Sequence, residues 1–400
     1  MRIATRAERI EPFYVMEVAK AAAALGREVA HTDRPMIYLN IGEPDFTAPP
    51  LVQEAAARAV ERGATQYTHA TGLEPLRERI SGWYAQRFGV DVPARRIVIT
   101  AGASAALQLA CLALIERGDE ILLPDPSYPC NRHFVSAADG TAVLVPTTAE
   151  ERFQLSAAKV EAAWTDKTRG VLLASPSNPT GTSIAPEELR RIHEVVQRRG
   201  GITLIDEIYL GLSYDDAFGQ TALAIDDNVI SINSFSKYFN MTGWRLGWLV
   251  VPEALVPVIE RLAQNLFICA STISQHAALA CFEPDSIAEY ERRRAQFKAR
   301  RDWFIPQLNA LGLTVPVMPD GAFYAWADCS ALCRQLGVPG SWELGFELMK
   351  RAHLAVTPGR ELGTRSSGWP AGAEIPENGS LHRGGAPVWT AGVGSKRTQP

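Results

Sequence analysis

A lysine that closes an apolar run between small hydroxyl residues is equipped for carbonyl chemistry, and Lys237 is such a residue. It stands in Ser234-Phe235-Ser236-Lys237, followed by Thr242-Gly243-Trp244-Arg245-Leu246-Gly247. A partly desolvated amine condenses with an aldehyde. The neighbouring hydroxyls and Arg245 can hold a phosphate, arginine through two parallel hydrogen bonds. Asp206 ends the apolar run 202–205, with Tyr209 three residues on. A carboxylate in that position is costly unless it meets a cation or several donors. A protonated ring nitrogen would be such a cation; a helix cap is the simpler explanation of this aspartate alone. Residues 175–181 (SPSNPTG) follow another buried run, where two prolines and a glycine fix an irregular backbone and Asn178 offers an amide. Gly102-Ala103-Ser104 lies between a strand and a helix, where small residues let an anion approach free amides. The ring of Tyr128, in Pro126-Ser127-Tyr128-Pro129, could lie against a planar ligand. Each of these also occurs in plain turns or cores, and only their combination points to a site.

The elements that must position these groups are legible as alternation. Apolar runs at 97–100, 120–123, 142–145, 170–174, 202–205, 229–232 and 246–251 are separated by segments of helical length such as 104–116 and 186–199. Pro186 suits the first turn of its helix, and Gly200 and Gly201 suit its end. Continuous apolar strands between helices predict an α/β architecture: a three-layer αβα large domain with a mainly parallel, seven-stranded sheet over residues 46–284. Open sheets of this kind bind ligands at the carboxyl ends of their strands, where most of the residues above lie. After residue 284 the texture changes to a long charged helix, runs at 313–317 and 322–327, and a helix at 342–351. They predict a smaller α+β domain over 285–363, which the N-terminal segment 1–45 joins through its own helix.

Composition bounds the rest. An apolar fraction of 46% and a net charge of −4 are those of a soluble globular chain, and they give no reason to expect nucleic acid. The basic stretch 291–301 has the spacing of a solvated helix face. The six cysteines form no CxxC pair and no Cys/His cluster, so neither a metal nor a disulfide framework is expected, and a reducing cytoplasm fits. No apolar stretch is long enough for a membrane span, and the N-terminus has no signal-peptide core.

In this order and spacing, SFSK…TGWRLGW and SPSNPTG resemble the class I/II aminotransferases of pyridoxal phosphate fold type I, close to the aspartate and aromatic aminotransferase branch. The resemblance runs from about residue 38 to residue 363. It implies pyridoxal 5′-phosphate as cofactor, held by Lys237 as a Schiff base, with Lys237 moving protons between the substrate Cα and cofactor C4′. Asp206 would pair with the pyridine nitrogen, Asn178 and Tyr209 with the ring hydroxyl, and Tyr128 would stack on the ring. Ala103, Ser104, Ser234, Ser236 and Arg245 would form the phosphate cup, with Tyr67 reaching in from a partner subunit, so that a homodimer is the active unit. Gly42, in Asn40-Ile41-Gly42-Glu43-Pro44-Asp45, matches the glycine whose backbone meets the substrate carboxylate, beside Asn178. The implied activity moves an amino group between an L-α-amino acid and a 2-oxo acid.

One departure matters. After Thr357-Pro358-Gly359 the family usually shows an FG pair and later an arginine that grips the substrate α-carboxylate; here Leu362 replaces the Phe, and no such string follows Gly363. Residues 364–400 are rich in Gly, Pro and Ser without periodicity, as a shifted reading frame would leave them, and no regular structure is expected there. Two alternatives follow: a carbon–sulfur β-lyase of the same fold, which shares these motifs, and a cofactor-binding protein impaired in catalysis by its atypical C-terminus. A ligand-sensing regulator fits less well, because such proteins carry a DNA-binding helix-turn-helix before the domain, and the match already begins near residue 38.

Overall fold

The fold was analysed in a computed structural model, which describes residues 1–359, 362 and 388–392. Its strands are β1 (Ile37–Tyr38), β2 (Ile97–Thr100), β3 (Glu120–Asp125), β4 (Thr141–Pro146), β5 (Thr168–Ala174), β6 (Ile202–Asp206), β7 (Ile230–Ser234), β8 (Gly247–Val250), β9 (Tyr324–Asp328), β10 (Leu354–Ala355), β11 (Thr357–Pro358) and β12 (Val388–Gly392). Seven of them form one sheet in the order β2-β8-β7-β6-β5-β3-β4. β8 pairs antiparallel with both β2 and β7, so it alone runs against the other six.

The continuous apolar runs follow from burial on both faces. Side chains alternate across a strand, so Leu172, Leu204, Ile230 and Leu249 enter one core while Leu173, Ile205, Trp248 and Val250 enter the other. Each fully buried side chain of this size contributes about 1.5–3 kcal/mol. Helix Ala103–Leu114 covers the first face and helix Pro186–Arg198 the second, the latter with Pro186 in its first turn and ending before Gly200.

A second body is built on helix Pro284–Ala310, β9 and helices Ser330–Leu336 and Ser341–Ala352 around Ile305, Leu308, Ala325, Cys333 and Leu344. The N-terminal segment packs here: β1 pairs in parallel with β10, and Val18, Ala22 and Val29 of helix Tyr14–Val29 meet Met349 and Ala355. Farther upstream the chain turns to the large sheet's side, where Arg9 pairs with Asp139 at 2.9 Å.

Two expectations differ from the structure. The run 313–317 forms no strand beyond an isolated bridge from Thr314 to Asp328; Leu313 and Val315 are apolar because they fill the small core. Within the C-terminal tail, Val388–Gly392 is a strand between β9 and β11, held by main-chain pairing that needs no alternating pattern. The rest of that tail lies outside the described residues. Among the described residues no helix is long and apolar enough to cross a membrane, and no group of three metal-ligating side chains converges.

Candidate active site

The carboxyl ends of the parallel strands converge on a cavity of about 270 Å³. β5 delivers Asn178 through the loop that follows it, β6 delivers Asp206 and Tyr209, and β7 delivers Ser234, Ser236 and Lys237. The turn after β2 delivers Ala103 and Ser104, and the turn after β3 delivers Tyr128. All of these line the cavity, with Gly42 and Arg245. Eleven of the twelve residues singled out from sequence therefore meet at one place.

Lys237 is partly buried, and its Nζ donates to the Gly42 carbonyl at 2.5 Å. Burial lowers its pKa to about 8; nearby Arg245 acts in the same direction, while Glu43 and Asp206 oppose. The amine thus releases its proton near neutrality, where an ordinary lysine holds it.

Asp206 is buried, and desolvation raises its pKa to about 7, helped by Glu207 and opposed by the Ile208 N–H and Lys237. That N–H donates to Asp206 Oδ1 at 3.0 Å. Glu207 is also buried; it accepts from Ser231 Oγ at 2.7 Å, Thr221 Oγ1 at 2.8 Å and the Ala222 N–H at 2.7 Å. Tyr209 hydrogen-bonds the hydroxyl of Tyr324, which also accepts from Asn178 Nδ2 at 3.3 Å. Burial pushes both tyrosines well above the usual phenol range, so they stay neutral donors.

Another part of the cavity lining has the groups to hold an anion. Helix Ala103–Leu114 begins behind Gly102, whose φ of 81° suits glycine. A Cβ there would stand 2.7 Å from Arg245 Nη2, so the glycine lets the guanidinium reach the helix start. The first amides of a helix have no intrahelical partner, and its dipole favours an anion. Arg245 itself has φ 52°, uncommon for a side-chain-bearing residue, and donates to the Thr242 carbonyl at 3.0 Å. Ser234 Oγ accepts from the Ser236 N–H at 3.0 Å, fixing the two hydroxyl residues relative to one another.

Tyr128 lines the cavity with Phe13 edge-on to its ring, centroids 6.2 Å apart. Tyr67 is the exception among the twelve: it is 79% exposed and outside the cavity wall. Tyr324, Asn40, Thr357, Phe13, Val15 and Met16 line the cavity without having been singled out. Asn40 is buried with neither amide atom partnered, while its carbonyl accepts from Thr357 Oγ1 at 2.7 Å. The signal for Asn40 was its place two residues before Gly42, and for Tyr324 the Gly-Ala-Phe-Tyr string entering β9. The N-terminal residues carried none. The carboxylate-gripping arginine of the resemblance would fall after Gly363, outside the described residues.

Known proteins agree with this architecture. The family profile for aminotransferase class I and II matches residues 34–370. The chain is similar to a valine–pyruvate aminotransferase of Mycobacterium tuberculosis, 38% identical over 371 residues and covering 92% of each chain. It is also similar to an aspartate aminotransferase of Rhizobium meliloti, 32% identical over 373 residues and 90% of each chain. Among solved structures, an aminotransferase from Mycobacterium tuberculosis superposes with a TM-score of 0.87 at 34% identity, over 99% of this chain and 95% of that one. The aspartate aminotransferase of Thermus thermophilus with maleate gives 0.86 at 27% identity, over 98% and 95%.

Proposed function

Because the chain belongs to the class I and II aminotransferases, we propose that it moves an amino group between an L-α-amino acid and a 2-oxo acid with pyridoxal 5′-phosphate held at Lys237. The family is generally dependent on that cofactor. The observation that carries the reading is Lys237: an amine whose pKa is lowered to about 8, in a cavity with a buried carboxylate and an anion cradle. The relatives named for valine with pyruvate and for aspartate support amino transfer while differing in substrate.

The residues fit the cofactor. The glycine-lined helix start, Ser234, Ser236 and Arg245 match a phosphate, and Asp206 matches a cationic ring nitrogen, which would repay its desolvation. When bound, the cofactor supplies an electron sink that stabilises negative charge on the substrate Cα. Lys237 Nζ would hold the cofactor through its aldehyde carbon with loss of water and, once the substrate amine has displaced it there, would carry the proton between the substrate Cα and the cofactor C4′ atom. Asp206 would hold the proton on the ring nitrogen. Tyr209 and Asn178 would hydrogen-bond the ring hydroxyl, and Tyr128 would stack on the ring. Gly42, through its backbone, and Asn178 would meet the substrate carboxylate. In this reading the active unit is a cytoplasmic homodimer whose second subunit brings Tyr67 to the phosphate; its exposure on a single chain accords with that role.

Purified protein mixed with pyridoxal phosphate should develop a near-ultraviolet to visible absorbance band that borohydride fixes and Lys237→Ala abolishes. Adding an amino acid should then bleach the band, and a 2-oxo acid should restore it. An intact chain that forms no such band overturns the reading.

A further inference from the structure

The basic stretch 291–301 has the spacing of a solvated helix face, yet Arg293 within it is only 9% exposed. A buried guanidinium is costly unless it is partnered. Its Nε meets Glu289 at 2.6 Å on the same helix, Pro284–Ala310. Its Nη1 donates in two further directions, to the main-chain carbonyl of Thr47 at 2.5 Å and to Asn240 Oδ1 at 2.8 Å. An ion pair along the helix would need neither of these contacts.

Both contacts lead to Lys237. Asn240 turns its amide back on the lysine's own loop: Nδ2 donates to the Lys237 carbonyl at 2.9 Å, from a φ of 53° that asparagine tolerates. Thr47 lies five residues beyond Gly42, whose carbonyl accepts from Lys237 Nζ at 2.5 Å. The segment between them is tied to the same helix a second time, where Arg300 grips both oxygens of Asp45 at 2.8 and 3.0 Å. One helix thus fixes the backbone that carries the amine and the backbone that receives it, and Arg293 joins the two directly.

We propose that Arg293 and Asn240 are positioning residues for Lys237, setting how deeply its amine is buried against Gly42. Neither is among the described residues lining the cavity, so they act through the lysine and not on a ligand. The assignment rests on the reading of Lys237 as the reacting amine and adds what holds it in place. Burial is the main cause of the amine's lowered pKa. The charged groups facing it are Glu43, Asp206 and Arg245, and the rings of Tyr209 and Phe323 stand 5.8 Å away. Slack in either backbone admits water to Nζ, so the amine keeps its proton to higher pH.

The test titrates Lys237 in the full, cofactor-free chain by trace acetylation with acetic anhydride, read by mass spectrometry of the peptide that contains it. In the parent the amine should titrate at about pH 8. Arg293→Met and Asn240→Gly should each raise that midpoint by about 1 pH unit, leaving about tenfold less free amine near neutrality. Asn240→Gly keeps the arginine's charge and suits the left-handed backbone, so a shift shared by the two variants reports position and not charge. If Arg293→Met does not fold, Asn240→Gly carries the test alone. Leu344→Ala, a cavity in the core of the small domain, should lower thermal stability without moving the midpoint. With pyridoxal phosphate added near neutral pH, the two positioning variants should form the absorbance band about tenfold more slowly than the parent. An unmoved midpoint in either folded variant overturns the proposal, as does an equal shift in Leu344→Ala or a parent midpoint near the ordinary 10.5. If the midpoints move as expected while no chain forms the band, the positioning stands and the cofactor reading fails.

Discussion

Replacing Asp206 by asparagine separates the stability of the empty site from its function. Asp206 is 7% exposed, and burial raises its pKa from an ordinary 3.8 to about 7. Between those values the folded, cofactor-free chain binds more protons here than the unfolded chain does. The stability contributed by this group is therefore full below about pH 4 and is lost as pH rises through about 7. At about 1.4 kcal/mol per pH unit, the loss amounts to about 4 kcal/mol. Asparagine keeps the side chain's size and the acceptor that Ile208 N–H uses at 3.0 Å, but it never ionises. Cofactor-free Asp206→Asn should therefore match the parent at about pH 4 and exceed it by up to about 4 kcal/mol at about pH 9. Urea unfolding of both proteins at one concentration, across that range, measures the difference, and groups that titrate alike in the two chains cancel. In the proposed reaction the variant's turnover should nevertheless fall, because the ring nitrogen would lose its anionic partner. A stability difference that does not vary with pH would falsify the burial account of Asp206.

Arg245→Ala removes a charged donor worth about 1.5–3 kcal/mol, so the cofactor dissociation constant measured by equilibrium dialysis should rise about 10- to 150-fold. Gly102→Ala places a Cβ 2.7 Å from Arg245 Nη2 at a φ of 81°; it should cost more than about 1 kcal/mol in thermal unfolding and weaken cofactor retention as well. Glu207→Ala strands the donors of Thr221, Ser231 and the Ala222 N–H in the interior, a loss of about 3 kcal/mol or more in denaturant unfolding, most of which Glu207→Gln should avoid.

The large sheet was legible because strands buried on both faces must be apolar throughout, and helices between them leave a readable spacing. The reversed direction of β8 was not, since an apolar run carries no sign of direction; pairing with β2 and β7 sets it. The run 313–317 misled for a related reason: Leu313 and Val315 are apolar through burial in the small core, and burial does not require a strand. Main-chain pairing leaves still less trace, which is why β12 emerges from a stretch without periodicity.

The polar lining of the cavity was legible because each of its residues lies within a few positions of a strand end or helix start that its own neighbours define. Lys237, Asp206 and Asn178 are in this sense local features, and motif reading reaches them. The N-terminal part of the lining is of another kind. Phe13 and Met16 reach the cavity because Arg9 meets Asp139, 130 positions away, and because helix Tyr14–Val29 packs on Met349 and Ala355. No spacing within residues 1–45 encodes either contact. Tyr324 lies between the two cases: its strand was readable, but its hydroxyl gains meaning only where Tyr209 and Asn178 arrive from the other domain. A sequence whose polar motifs are local and whose cavity wall is assembled at long range announces its chemistry before the shape of its site.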